Sequence, residues 1–227
     1  MEASVMKRIA PVLVAAVLLL GFIHASVGAW DGHHVLDIDT GRGVLEVAGQ
    51  VNNFPATTDA PLGSSQQFGY VSHLDGADTV FADPNPAAQN ESSALVTFFT
   101  NVKTTRITAN GPLTVIIREG TTTFYRNSAP ASFSAPDSFQ AGEAVMTSTI
   151  RQQVILDSVE KTFTVVNVNV ITTTKVFELG GEAVRIGSRG DAIRTSLVGV
   201  LKARDGSAPP PTGYFAGSGV GISRHQD

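Results

Sequence analysis

Two long alternating runs set back to back constrain this chain more than any other feature. Over 143–156, Ala144, Met146, Ser148, Ile150, Gln152, Val154 and Leu156 share one phase, and Val145, Thr147, Thr149, Arg151, Gln153 and Ile155 share the other. A period of two is that of a pleated strand, whose successive side chains point to opposite faces. The first set reads as a core face and the second as a mostly wet one. Residues 157–161 make a turn. The chain then returns over 162–174, with Phe163 and Val165 on one phase and Val166, Val168 and Val170 on the other. Asn167 and Asn169 fall on the phase of Phe163. The switch of apolar phase predicts a β-bulge near Val165–Val166. Neighbouring strands of this length curl more readily than they stay flat.

The same grammar runs through most of the chain. Residues 43–51 set Leu45, Val47 and Val51 against Glu46 and Gln50, and 66–74 place Phe68, Tyr70 and Leu74 together. Residues 95–100 are apolar on both faces, as in a strand covered from both sides. Three further strands, 106–109, 113–118 and 121–126, are separated by Asn110-Gly111 and Glu119-Gly120, both read as tight hairpin turns. Gly180-Gly181 separates 176–179 from 183–186, and 193–201 alternates again. In 214–222, Gly217, Gly219 and Gly221 leave one face bare, open to close approach by a backbone, an aromatic ring or a ligand. Loops are expected at 53–65, 83–92 and 127–142, the last long enough to act as a flap or plug over one end.

Helical spacing is absent over any dozen residues beyond the N-terminal segment. One helical turn is expected near 134–139, with Ser134 as cap and Pro136 in the first turn. No fixed-period repeat argues for a propeller or β-helix. The predicted fold is therefore all-β: an antiparallel β-barrel, which removes its own edges, with a two-sheet β-sandwich as the alternative.

The N-terminus reads as an address. Lys7 and Arg8 precede a run over 9–23 that is apolar apart from Pro11 and Gly21, and Val27-Gly28-Ala29 offers small residues for cleavage before Trp30. The run is short for a full span. Residues 1–29 are expected to be a signal peptide and 30–227 a single β-barrel-like domain, secreted or periplasmic, with no membrane span after cleavage. The chain contains no cysteine. That excludes a disulfide scaffold, a thiolate metal site, a cysteine nucleophile and a lipoprotein anchor. Stability must come from packing and hydrogen bonding. A hydrophobic content of 42% excludes a disordered chain, and a net charge of −4 argues against an electrostatic grip on nucleic acid.

Candidate chemistry is thin. His33 and His34 sit beside Asp37, but adjacent residues of an extended chain point to opposite faces, so a solvated segment is the better reading and no metal is expected. His73 lies among Asp75, Asp78 and Asp83, which read as turn formers. Gly217-Ser218-Gly219 matches neither a nucleophile elbow nor a phosphate loop. Arg189-Gly190-Asp191 is the integrin-binding tripeptide and reads as ordinary loop sequence. Asn90-Glu91-Ser92 fits a glycosylation acceptor in a eukaryotic secretory route.

Polar residues inside strands are more informative: Gln152 on the apolar phase of its strand, Asn167 and Asn169, and Arg106, Arg118, Tyr125 and Arg151. In outline (export signal, few helices, long antiparallel hairpins) the chain resembles lipocalin-like barrels and barrels of the allene oxide cyclase and dirigent type. The resemblance is architectural and transfers no residues. Three functions follow as expectations. The first is a non-catalytic exported barrel, without cofactor, that binds a small, partly apolar molecule through Met146, Ile150, Gln152 and Val154. The second is a structural or adhesion module of the cell exterior. The third is a cofactor-free isomerase or cyclase using Tyr70, His73 or Tyr125 for proton transfer, which requires two titratable groups converging in the cavity.

Overall fold

The computed structural model describes residues 34–36, 43–202 and 212–222. Residues 1–29, expected to be a signal peptide, lie outside those residues, as do His33 and Asp37. Eleven strands are present among them. They are β1 (His34–Leu36), β2 (Gly43–Phe54), β3 (Ser64–Leu74), β4 (Val96–Asn110), β5 (Leu113–Arg126), β6 (Glu143–Asp157), β7 (Thr162–Thr174), β8 (Phe177–Leu179), β9 (Glu182–Ile186), β10 (Ala192–Leu201) and β11 (Thr212–Ile222).

Eight of the strands close a barrel in the order β2-β3-β4-β5-β6-β7-β10-β11, with β11 pairing back onto β2. Every neighbouring pair is antiparallel. Closure satisfies the ladder of each strand on both sides, so no edge remains in this sheet. The predicted barrel is observed, and the sandwich alternative is not. The excursion between β7 and β10 supplies β8 and β9, which with β1 make a small sheet of order β1-β9-β8, β1 parallel to β9. Gly180 and Gly181, at φ of 63° and 89°, make the predicted turn between β8 and β9.

The two ends of the barrel differ. At the end where β7 finishes, Phe177, Leu179, Val184 and Ile186 of the small sheet are buried. So are Val80 and Phe81 from the β3–β4 connection. They join Leu45, Val71, Leu74, Val96, Met146 and Ile193 in one apolar core, which shuts that end. The other end carries the β2–β3, β4–β5 and β6–β7 turns and is not filled in this way.

The outer wall carries a second apolar layer. Phe68 and Phe99, paired across β3 and β4, point outward and stack with ring centroids 6.1 Å apart. The segment 127–142 lies over them. Phe139 is fully buried with its ring 5.4 Å from that of Phe68, and its carbonyl accepts a bond from the Thr97 hydroxyl at 2.8 Å. The segment expected to plug one end is therefore a strap on the outer wall. It includes a 3-10 turn at Pro136–Gln140 with no side-chain cap, so Ser134 does not fulfil the predicted capping role. The strap also explains why 95–100 is apolar on both faces: Phe98 faces the interior and Phe99 the strap.

Three local expectations are corrected. No bulge occurs at Val165–Val166; pairing with β6 continues through both, and the register shifts at Thr147/Ser148. Alternation in β7 is unbroken, so Phe163, Val165, Asn167, Asn169 and Ile171 are buried while Val166, Val168 and Val170 are half-buried on the outside. Leu74 does not share a face with Phe68 and Tyr70, because an irregularity between Glu46 and Val47 shifts the β2–β3 pairing. Glu119-Gly120 is not a turn but the middle of β5.

Gly120 is required there by close approach: a Cβ would collide with the Asn101 carbonyl of β4. Gly120→Ala is expected to lower unfolding free energy by about 2 kcal/mol or more, since the obstructing atom is backbone and cannot rotate away. Urea unfolding followed by circular dichroism measures it, and an unchanged midpoint would contradict the assignment.

Candidate functional site

The barrel interior holds a cavity of about 750 Å³ at the end opposite the small sheet. Its wall is mostly apolar, with Val154 and Leu156 from β6, Phe163 and Val165 from β7, and Phe215 from β11. Phe54, Leu62 and Ile107 also line it and are exposed, Leu62 at 46% and Ile107 at 49%. The cavity therefore reaches solvent across a rim of apolar side chains. Its volume falls in the range of sites for small organic molecules.

The floor is polar and tightly bonded. Gln67 on β3 and Gln152 on β6 belong to strands separated by β4 and β5, so their contact crosses the lumen. Each amide nitrogen donates to the other's oxygen, at 2.9 Å from Gln67 and 3.1 Å from Gln152. Gln152 Nε2 also donates to Asn167 Oδ1 at 3.0 Å, and Asn167 Nδ2 donates to the Thr195 hydroxyl at 2.8 Å. Gln152 Oε1 accepts a second, longer bond of 3.4 Å from Arg118 Nη1. The Gln152 side chain, 0% exposed, thus uses both donors and both acceptor positions. A half-satisfied amide here would be strongly destabilising, whereas a complete network fixes the floor.

Arg118 on β5 stands beside this floor and lines the cavity. It is 8% exposed. Its Nη2 donates to Asn53 Oδ1 at 2.7 Å, and its Nε is buried without a partner. Among the described residues no carboxylate pairs with it. Burial alone pulls the guanidinium down from its ordinary value to about 10. It remains charged at neutral pH. The folded pKa lies below the unfolded one, so this group destabilises the fold at every pH below about 10. The penalty fades as pH rises from there towards the ordinary guanidinium value. Its size is of order 3 kcal/mol.

Below the floor lies a second space of about 40 Å³, bordered by Thr100, Thr122, Asn167, Asn169 and Thr195. Apolar side chains, Leu45, Phe98, Phe124 and Phe215 among them, complete its border.

The residues singled out in the sequence fall in different places. Gln152 and Val154 line the large cavity, Ile150 borders the small space, and Met146 is buried at the closed end in contact with neither. Tyr70 faces outward between Phe81 and Phe133, with centroids 6.0 and 6.4 Å away. Burial, and to a lesser degree Glu91, raise its hydroxyl above the ordinary value. Tyr125 packs in the same outer aromatic layer, and His73 is exposed. None of the three lines the cavity, and among the described residues its only titratable lining group is Arg118. The two converging groups that a cyclase reading requires are therefore not brought together. His34 lies in β1, and among the described residues no three His, Asp or Glu side chains converge as metal ligands.

Gln67 and Asn53 are not among the residues that the sequence points to, whereas Arg118 is one of its mid-strand polar residues. The signal was there for Arg118: Ile116, Arg118, Gly120, Thr122 and Phe124 share one phase of β5. Reading Glu119-Gly120 as a turn cut that phase in two. No known family, curated protein or solved structure matches the chain at a significant level.

Gln152→Leu removes the partner of Gln67, Asn167 and Arg118 together, and is expected to lower stability by about 3 kcal/mol. The double change Gln67→Leu/Gln152→Leu should destabilise by less than the sum of the two single changes, because the pair is coupled. Additive losses in denaturant unfolding would mean that the two amides do not interact.

Proposed function

We propose that the protein is an exported, non-catalytic barrel that carries or sequesters a small, partly apolar molecule in its lumen. The observation that carries this reading is the solvent-reaching cavity of about 750 Å³ with an apolar wall over a fixed polar floor. A purely structural barrel gains by filling its interior, since voids forfeit dispersion contacts and destabilise. Here the closed end is filled and the opposite end is not. An apolar wall supplies affinity through burial, and the Gln67–Gln152–Asn167 floor supplies a few fixed polar groups to orient a ligand. Export is supported by Lys7-Arg8, the apolar run over 9–23 and the small residues before Trp30.

Two outcomes are expected. Native mass spectrometry of the protein recovered from its own secretion route should show a reproducible non-protein mass, and a chain that begins at Trp30. Val154→Trp, which fills the cavity from β6, should abolish that mass while circular dichroism still reports a folded barrel. A clean unliganded mass in the wild type would favour the structural module instead.

A further inference from the structure

Arg118 is a charged group that the fold buries without neutralising. Two of its five N–H groups are used, on Asn53 and Gln152, and both acceptors are neutral amides. The remaining donors have no protein acceptor among the described residues, and the Nε is sequestered from solvent. A buried charge is ordinarily paired, and leaving one unpaired is costly. Here the guanidinium borders a cavity that reaches solvent, so a counter-ion can arrive from outside.

Resting on the binding reading above, we propose that the ligand is an apolar molecule ending in a single carboxylate, and that Arg118 is the group that holds it. Among the described residues the lining contains one cation and no anion, so a monoanion balances the site, whereas a dianion would leave one charge buried and unbalanced. A planar carboxylate matches the guanidinium fork. The Asn53 and Gln152 bonds hold the guanidinium against the wall, which limits the ordering needed when the anion arrives. The body of the ligand then runs along Val154, Leu156, Phe163 and Val165 towards the rim at Leu62 and Ile107. Binding restores the charge pairing that the empty barrel lacks.

Titration calorimetry with decanoate and 1-decanol at neutral pH tests this, because the two probes share an alkyl body and differ in the charged end. The wild-type protein is expected to bind decanoate at least about ten-fold more tightly than decanol, the factor that a charge-assisted bond in a desolvated site supplies. Arg118→Met should lose the preference for decanoate over decanol, and Arg118→Lys should keep part of it. Equal wild-type affinities for the two probes, or an intact preference in Arg118→Met, would overturn the inference and leave the binding reading standing. Binding of neither probe would overturn both. The wild-type comparison needs no variant, so the test survives if Arg118→Met fails to fold.

Discussion

The lumen of this barrel depends on a contact made across it. Gln67 and Gln152 reach over the space enclosed by β3 to β6 and exchange two amide hydrogen bonds. Polar side chains can occupy such an interior only if they satisfy one another, because no backbone group is spare in a closed sheet. Asn167 and Thr195 complete the network on the far wall. That network divides the interior into an apolar core, shut by the small sheet, and an unfilled space that faces solvent. The same division explains why β6 and β7 carry amides on their inward phase among otherwise apolar side chains.

Outside the barrel the problem is reversed. Phe68 and Phe99 would expose two large rings on the wall. The 127–142 strap covers them with Phe139 and Ala131, and the Thr97 bond to the Phe139 carbonyl fixes where the strap crosses. This second layer frees β3 and β4 to be apolar on both faces. It also places Tyr70 and Tyr125 in packing rather than in chemistry.

Much of this was legible in the sequence where one rule decided the outcome. The inward phase of β6 followed from simple alternation, and Gln152 was found on it. Misreadings arose where two rules competed. Three valines in β7 looked like a core phase and suggested a bulge, yet the asparagines are inside because Gln152, Thr195 and Ser148 bond them. Gly120 looked like a turn residue, yet it is a glycine of close approach, a distinction set by the neighbouring strand and invisible from one strand alone. The same misreading cut the phase that joins Arg118 to Thr122 and Phe124 on one strand. The strap could not be placed because nothing local says whether a long loop covers an end or a wall.

The Arg118 arrangement gives the site its character. An arginine in an apolar lumen, bonded among the described residues only to neutral amides, is a poor solution for an empty barrel and a good one for an occupied one. The most direct measurement is a crystal structure of the protein purified from its native source. Elongated non-protein density along Val154 and Phe163, ending on the guanidinium of Arg118, is what this account predicts. A lumen closed by side chains, or holding only ordered water with Arg118 turned to a protein carboxylate, would contradict it.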